Sequence, residues 1–225
     1  MTLEAELQAF REEFLHKVDP AVRDAMLRAD FEVGASGVAQ RAARAGDRAP
    51  GFILAGARGE TVCLSHLLRS GPVVLSFYRG GWCPYCNLEL RALQKILPRI
   101  RALGATLVAI SPQKPDASLS TAESNALEFP VLSDPGCAVA RQFGVAFELP
   151  SVLRPIYERS GHGLPSVNGG GDWLLPIPAT YVIASDGVIA LAFVDADYRS
   201  RLEPAEVVAA LECLATRGGR HPDAH

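Results

Sequence analysis

Several things are scarce in this sequence, and each scarcity removes a class of protein. Five cysteines, Cys63, Cys83, Cys86, Cys137 and Cys213, are too few and too scattered for the disulfide framework of a small secreted domain. The first residues, Met1-Thr2-Leu3-Glu4-Ala5-Glu6, are acidic and lack an apolar run, which is not the pattern of a signal peptide. A reducing, cytoplasmic setting is therefore the expectation. No stretch approaches the roughly 20 apolar residues of a membrane-spanning helix. A formal net charge of −3 gives no basic surface for nucleic acid or for an anionic membrane. There is no second C-x-x-C and no closely spaced histidine pair, so a structural zinc site would lack half of its four ligands, and no metal is expected. The run Gly169-Gly170-Gly171 has no Gly-Lys-Ser/Thr after it and no strand before it. That argues against a phosphate cradle, and no cofactor is expected.

What remains is an ordinary globular composition, 48% hydrophobic and 21% charged, organised around one stretch. Val73-Val74-Leu75-Ser76-Phe77-Tyr78 reads as a buried strand. Arg79-Gly80-Gly81 reads as a turn, and a long helical pattern follows. Trp82-Cys83-Pro84-Tyr85-Cys86 thus falls where a strand ends and a helix begins. Unsatisfied N–H groups and the positive end of the helix dipole at a helix start favour thiolate over thiol, and the thiolate is the nucleophile. Pro84 suits the first helical turn. A C-x-x-C in an α/β chain with no export signal reads as a redox pair rather than as two inert buried cysteines.

The chain divides into an N-terminal helical extension (1–45), a core (46–215) and a polar tail (216–225) expected to be disordered. Leu3, Leu7, Phe10, Phe14, Leu15 and Val18 recur at helical spacing. Asp19-Pro20 ends that helix and starts a second to about Asp30, with a short third near 36–45. These helices cover either the core or a second subunit. In the core, short strands are expected at 52–54 and 61–64 and a short helix at 66–69. Further strands follow at 106–111 and 129–132, and helices at 120–127 and 137–143. Pro98 should bend or break the helix after Cys86. Residues 151–175, rich in Pro and Gly, read as a flexible flap in which His162 or Trp173 could edge the site. A hairpin at Asp186-Gly187 joins strands 179–184 and 188–193, and a helix spans 203–215. Cys63, between Val62 and Leu64, reads as a small core hydrophobe, and Cys137 as inert. The order gives an α/β fold with a mixed central sheet flanked by helices.

Val74–Tyr78 with Cys86-Asn87-Leu88-Glu89, Phe129–Asp134, Phe143-Gly144-Val145 and Ala179–Ile183 with Asp186-Gly187 resemble the AhpC/TSA family, the peroxiredoxins of the thioredoxin-like fold. The chain looks closest to the subgroup with a thioredoxin/glutaredoxin-like C-x-x-C. The resemblance runs from about Gly46 to Leu214. In the family signature Pro-x-x-x-Thr-x-x-Cys, registered on Cys86, Cys83 stands at the Thr place and Arg79 at the Pro place. Glu89 keeps the usual glutamate, and the family arginine falls at Pro178. Trp82-Cys83-Pro84-Tyr85-Cys86 and Ile177-Pro178-Ala179-Thr180 also resemble a thioredoxin active site with its cis-proline. On that resemblance Pro178 is expected to be cis and near Cys83.

Three functions follow. The first is a thiol peroxidase for hydrogen peroxide or organic hydroperoxides. Cys86 becomes the sulfenic acid, Cys83 closes the disulfide, Arg79 steadies the thiolate, and a thioredoxin- or glutaredoxin-type dithiol is the reductant. The second is a thiol–disulfide oxidoreductase in which Cys83 attacks first; Ser76 then leaves the buried proton carrier of thioredoxin without a counterpart. The third is a non-enzymatic redox sensor whose N-terminal helices meet a partner. Family habit and the spare apolar helices suggest a homodimer.

Overall fold

A computed structural model of the chain describes residues 1–218. The strands are β1 (Ile53–Gly56), β2 (Thr61–Cys63), β3 (Val73–Phe77), β4 (Thr106–Ser111), β5 (Val131–Ser133), β6 (Ala146–Glu148), β7 (Leu174–Pro176), β8 (Ala179–Ile183) and β9 (Ile189–Val194). The helices are α1 (Leu3–Lys17), α2 (Pro20–Ala35), α3 (Val38–Arg41), α4 (Leu64–Ser70), α5 (Pro84–Ala102), α6 (Pro115–Ser124), α7 (Ala138–Gln142), α8 (Arg154–Arg159), α9 (Leu164–Asn168) and α10 (Pro204–Gly218).

Seven strands form one mixed sheet in the order β2-β1-β5-β4-β3-β8-β9. β3, β4 and β5 run parallel at its centre, and β1 and β8 join them antiparallel. The apolar runs of β3 and β4 are explained by helices on both faces. Val74 and Leu107 belong to the cluster under α1, α5 and α10. Their neighbours Val73, Leu75 and Val108 belong to the cluster with Val33, Val38 and Leu64 on the other face. This is the two-residue alternation of a strand buried on both sides. α5 follows the same logic at helical period: Cys86, Glu89, Leu90, Leu93, Leu97 and Ile100 all face inward.

The N-terminal helices cover their own core. Leu3 and Leu7 are buried with Val207 and Leu211 of α10. The backbone N–H groups of Leu3 and Glu4 donate to the Glu203 carboxylate at 3.3 and 2.6 Å. Asp19 caps α2, accepting from the Ala21 and Val22 N–H groups at 2.8 and 3.3 Å. α2 continues five residues beyond the expected stop at Asp30.

Three expectations change. Residues 151–175 are not a flap: after a 3₁₀ turn (Ser151–Leu153) they form α8, α9 and β7. Leu153, Leu164 and Leu175 are buried there with Leu149 and Ala29 of α2. β6 and β7 pair as a separate ribbon. Pro98 does not break α5; it sits inside the helix on its exposed face. The helix also does not end at Ala215 but at Gly218, so the first three residues of the expected tail are helical, and the remainder lies outside the described residues. No described helix is long and apolar enough to cross a membrane.

Candidate active site

β3 carries the chain to Tyr78 and Arg79, and two glycines turn it into α5. At Gly80, φ is +153°, and a Cβ would stand 2.4 Å from the Trp82 indole; at Gly81 it would stand 2.2 Å from the Thr121 hydroxyl. Only glycine fits either position. The Gly81 N–H donates to Gln113 Oε1 at 2.7 Å, and Asn87 Nδ2 donates to the Gly81 carbonyl at 2.8 Å. The turn delivers Cys83 to the N-cap of α5, with Pro84 in the first helical position.

The two sulfurs are free thiols in different surroundings. Cys83 lines a cavity of about 340 Å³, and Cys86 is wholly buried behind it. A hydrogen bond from the Cys86 thiol lowers the Cys83 pKa to about 6, with help from the Arg79 and Arg201 charges and the Cys86 N–H, against the opposing effect of burial. Burial, and then its bond to Cys83 and the Cys83 charge, push Cys86 well above the ordinary thiol value despite the same two arginines. These effects favour a thiolate on Cys83, the sulfur that lines the cavity, over one on Cys86.

Beneath Cys86 lies a buried polar floor. Arg201 Nη2 donates to Cys86 Sγ at 3.3 Å, and Arg201 Nε donates to Glu89 Oε2. Arg201 Nη1 donates to the carbonyls of Tyr198 and Ser200 at 2.6 and 2.7 Å. Glu89 Oε1 accepts from the hydroxyls of Thr180 and Ser76 at 3.2 and 3.5 Å. Ser76 and Thr180 are register partners across β3 and β8, so one face of the sheet presents both hydroxyls to α5. Burial raises the Glu89 carboxyl pKa although Arg201 opposes it. Glu89, from the helix after the motif, is thus the buried carboxyl behind Cys86.

Above Cys83, the Arg79 guanidinium lies 4.4 Å from the Tyr198 ring centre and 5.3 Å from that of Trp82, and it donates to the Tyr157 hydroxyl. Trp82 stacks on His162 at 5.5 Å and meets Tyr157 edge-on at 5.3 Å. The N–H groups of Arg79 Nε and Trp82 Nε1 are buried without a partner.

The structure thus brings Cys83, Cys86, Arg79 and Trp82 together. Pro178 lines the same cavity as Cys83, but its peptide bond is trans, as are all others among the described residues. The expected cis bond is corrected by the local path. Ile177-Pro178 passes straight from β7 into β8, and the buried Ile177 holds its N–H to the Val145 carbonyl at 2.9 Å. One support for a thioredoxin-like reading is removed with it. His162 does edge the site. Trp173 packs instead under Arg154, 5.5 Å from the guanidinium. Cys137 is buried, and burial followed by the Asp134 charge pushes its pKa up to about 12, so it is inert. Cys63 is half-exposed and bonded to the Ser65 hydroxyl at 3.2 Å rather than a core residue. Sequence reasoning missed Arg201, Tyr157 and Tyr198. Pro178 at the family's arginine place called for a cation from elsewhere, and Tyr198-Arg199-Ser200-Arg201 was the available source. No group of three His, Cys, Asp or Glu among the described residues is placed to hold a metal ion.

Comparison with known proteins agrees with this geometry. The chain is 33% identical over 102 residues to peroxiredoxin Bcp of Escherichia coli, covering 45% of this chain and 65% of that protein. It is 30% identical over 104 residues to the thiol-disulfide oxidoreductase ResA of Halalkalibacterium halodurans, covering 46% and 58%. Among solved structures, peroxidoxin BcpB from Mycobacterium tuberculosis superposes with a TM-score of 0.60 at 25% identity, over 76% of this chain and 97% of that one. The AhpC/TSA family matches residues 45–192, more than half of the sequence and all of the sheet up to β9, and the chain belongs to that family.

Proposed function

We propose that the protein is a thiol-dependent peroxidase whose first nucleophile is Cys83. The observation that carries this is position: Cys83, at the N-cap of α5, lines the cavity and has its pKa lowered, whereas Cys86 lies outside the lining and has its pKa raised. The family register favours Cys86 as the peroxide-reacting sulfur, but place in the cavity lining and charge favour Cys83.

The Cys83 sulfur attacks one peroxide oxygen. An S–O bond forms as the O–O bond breaks, the sulfur loses two electrons, and the leaving oxygen takes a proton to depart as water or alcohol. The Cys86 sulfur then attacks the sulfenic sulfur. The Cys86 proton leaves with the hydroxyl as water, and the disulfide closes. Arg201 and Glu89 orient Cys86 for that step, and Arg79 stabilises Cys83. A thioredoxin- or glutaredoxin-type dithiol reduces the disulfide and is itself oxidised. The family relationship and the Bcp likeness support this reading over plain disulfide reduction.

The test is consumption of hydrogen peroxide and cumene hydroperoxide with a thioredoxin system. Wild type should turn over. Cys83→Ser should consume nothing, and Cys86→Ser should consume one equivalent and stop. If peroxide is untouched while small disulfides are reduced through Cys83, the protein is a disulfide reductase.

A further inference from the structure

The cavity over Cys83 has a wall that the family does not provide. Phe14, Val18, Val22 and Met26 line it from α1, α2 and the turn between them. All four precede residue 45, where the family match begins. Leu153 and Ile156, in the segment after β6, line it too and pack with Met26. The resulting volume of about 340 Å³ is more than ten times the roughly 30 Å³ share of one water molecule in the liquid. Hydrogen peroxide, with two oxygens, would leave nearly all of it unfilled.

The polar side chains of the lining gather round Cys83: Arg79 with Tyr157 and Tyr198, and Trp82 with Tyr157 and His162. Arg79 and Trp82 flank Cys83 in the lining, and each keeps a buried N–H without an acceptor. Asp30 also lines the cavity, but its carboxylate is paired with Arg199 at 2.9 Å. A cavity with an apolar body, and with a cysteine sulfur, a guanidinium and an indole at one end, fits an amphipathic ligand with oxygen at its reactive end.

Resting on the peroxidase reading above, we infer that the N-terminal helices are a substrate-selecting wall. They admit hydroperoxides with an aryl or branched alkyl body and favour them over hydrogen peroxide. The apolar body lies against Phe14, Val18 and Val22, and the peroxide oxygens meet Cys83, Arg79 and Trp82. Sulfur–oxygen bond formation then releases the body as its alcohol, which leaves by the same mouth.

The experiment uses the full chain and two readouts. The first is kcat/KM for hydrogen peroxide, tert-butyl hydroperoxide and cumene hydroperoxide. It should rise along that series, at least tenfold from first to last, and the cumene-to-hydrogen-peroxide ratio should fall at least tenfold in Val22→Trp, which fills the cavity. The second needs no turnover: 2-phenyl-2-propanol, the alcohol left from cumene hydroperoxide, is titrated into reduced wild type and followed by calorimetry and Trp82 fluorescence. Saturable binding, weakened at least tenfold in Val22→Trp, is expected. Equal efficiency along the series with no alcohol binding overturns the inference and leaves the peroxidase reading intact. Alcohol binding with no consumption of any hydroperoxide sinks the peroxidase reading, and the substrate assignment with it, leaving an apolar site of another use. The wild-type series decides the matter even if Val22→Trp fails to fold.

Discussion

Cys83 and Cys86 are one helical turn apart and look into opposite media. Above Cys83 is an apolar cavity walled by helices from outside the family region. Below Cys86 is a dry charged floor, built from β3, β8, α5 and the segment before α10. The contrast teaches how one dithiol can separate two tasks. The outer sulfur lines the cavity and has its pKa lowered to about 6. The inner one keeps its proton because burial disfavours its charge, while Arg201 and Glu89 fix its position.

Four outcomes would break or sharpen that contrast. The largest concerns which sulfur is oxidised. With one equivalent of hydroperoxide and a sulfenic-acid trap, Cys86→Ser should carry the label on Cys83, read by peptide mass spectrometry. Cys83→Ser should slow the reaction about a thousandfold or more, as loss of a nucleophile does. Label on Cys86 in wild type would reverse the roles.

Next is the floor. Arg201 and Glu89 are 1% and 2% exposed. Arg201→Met leaves a buried carboxylate unpaired and should cost about 3–5 kcal/mol, lowering Tm by about 6–20 °C in a domain of this size. The double change Arg201→Met with Glu89→Leu should recover most of that loss, because it removes both charges. Thermal unfolding of the three proteins checks this.

The third outcome is pH dependence. Alkylation of Cys83 by iodoacetamide should follow a midpoint near pH 6. Arg79→Met removes a cation that favours the thiolate, so the midpoint should move up toward the ordinary thiol value of about 8.5. Stability gives the same sign. A thiol pKa depressed in the folded state contributes stability above the unfolded pKa, and loses it as pH falls through about 6. Wild type should therefore gain stability between about pH 6 and 8.5, and Cys83→Ser should lack that gain.

The smallest effect comes from an ion pair of the same chemistry on the surface. Arg99 and Glu212 meet across α5 and α10 with side chains 56% and 47% exposed. Arg99→Ala should change stability by less than about 1 kcal/mol. A loss as large as that of Arg201→Met would remove burial as the reason for the difference.

Much of this arrangement can be read from the residues alone. The runs at β3 and β4, the C-x-x-C at a strand-to-helix step and the hairpin at Asp186-Gly187 are local patterns, and local patterns survive folding. Arg201 is different. It reaches Glu89 across 112 positions, from a segment with no periodicity, and its role depends on a register that puts Ser76 opposite Thr180. Residues 151–175 misled for another reason. Their prolines and glycines signal turns, but Leu153, Ile156 and Tyr157 already had helical spacing, and burial against α2 overrode the breakers. The apolar stripe of α1 was legible as a stripe. That its far end would wall a cavity beside Cys83 was not, since periodicity names a face and not its partner.

The Glu203 carboxylate that holds the start of α1 has a consequence for the order of folding. The bond from Leu3 spans 200 positions, and the packing partners of α1 lie on α5 and α10. Contacts so far apart in sequence close a long loop before they return any stabilisation, so they form late. The α1 side of the wall over Cys83 is therefore expected to settle after the sheet it covers.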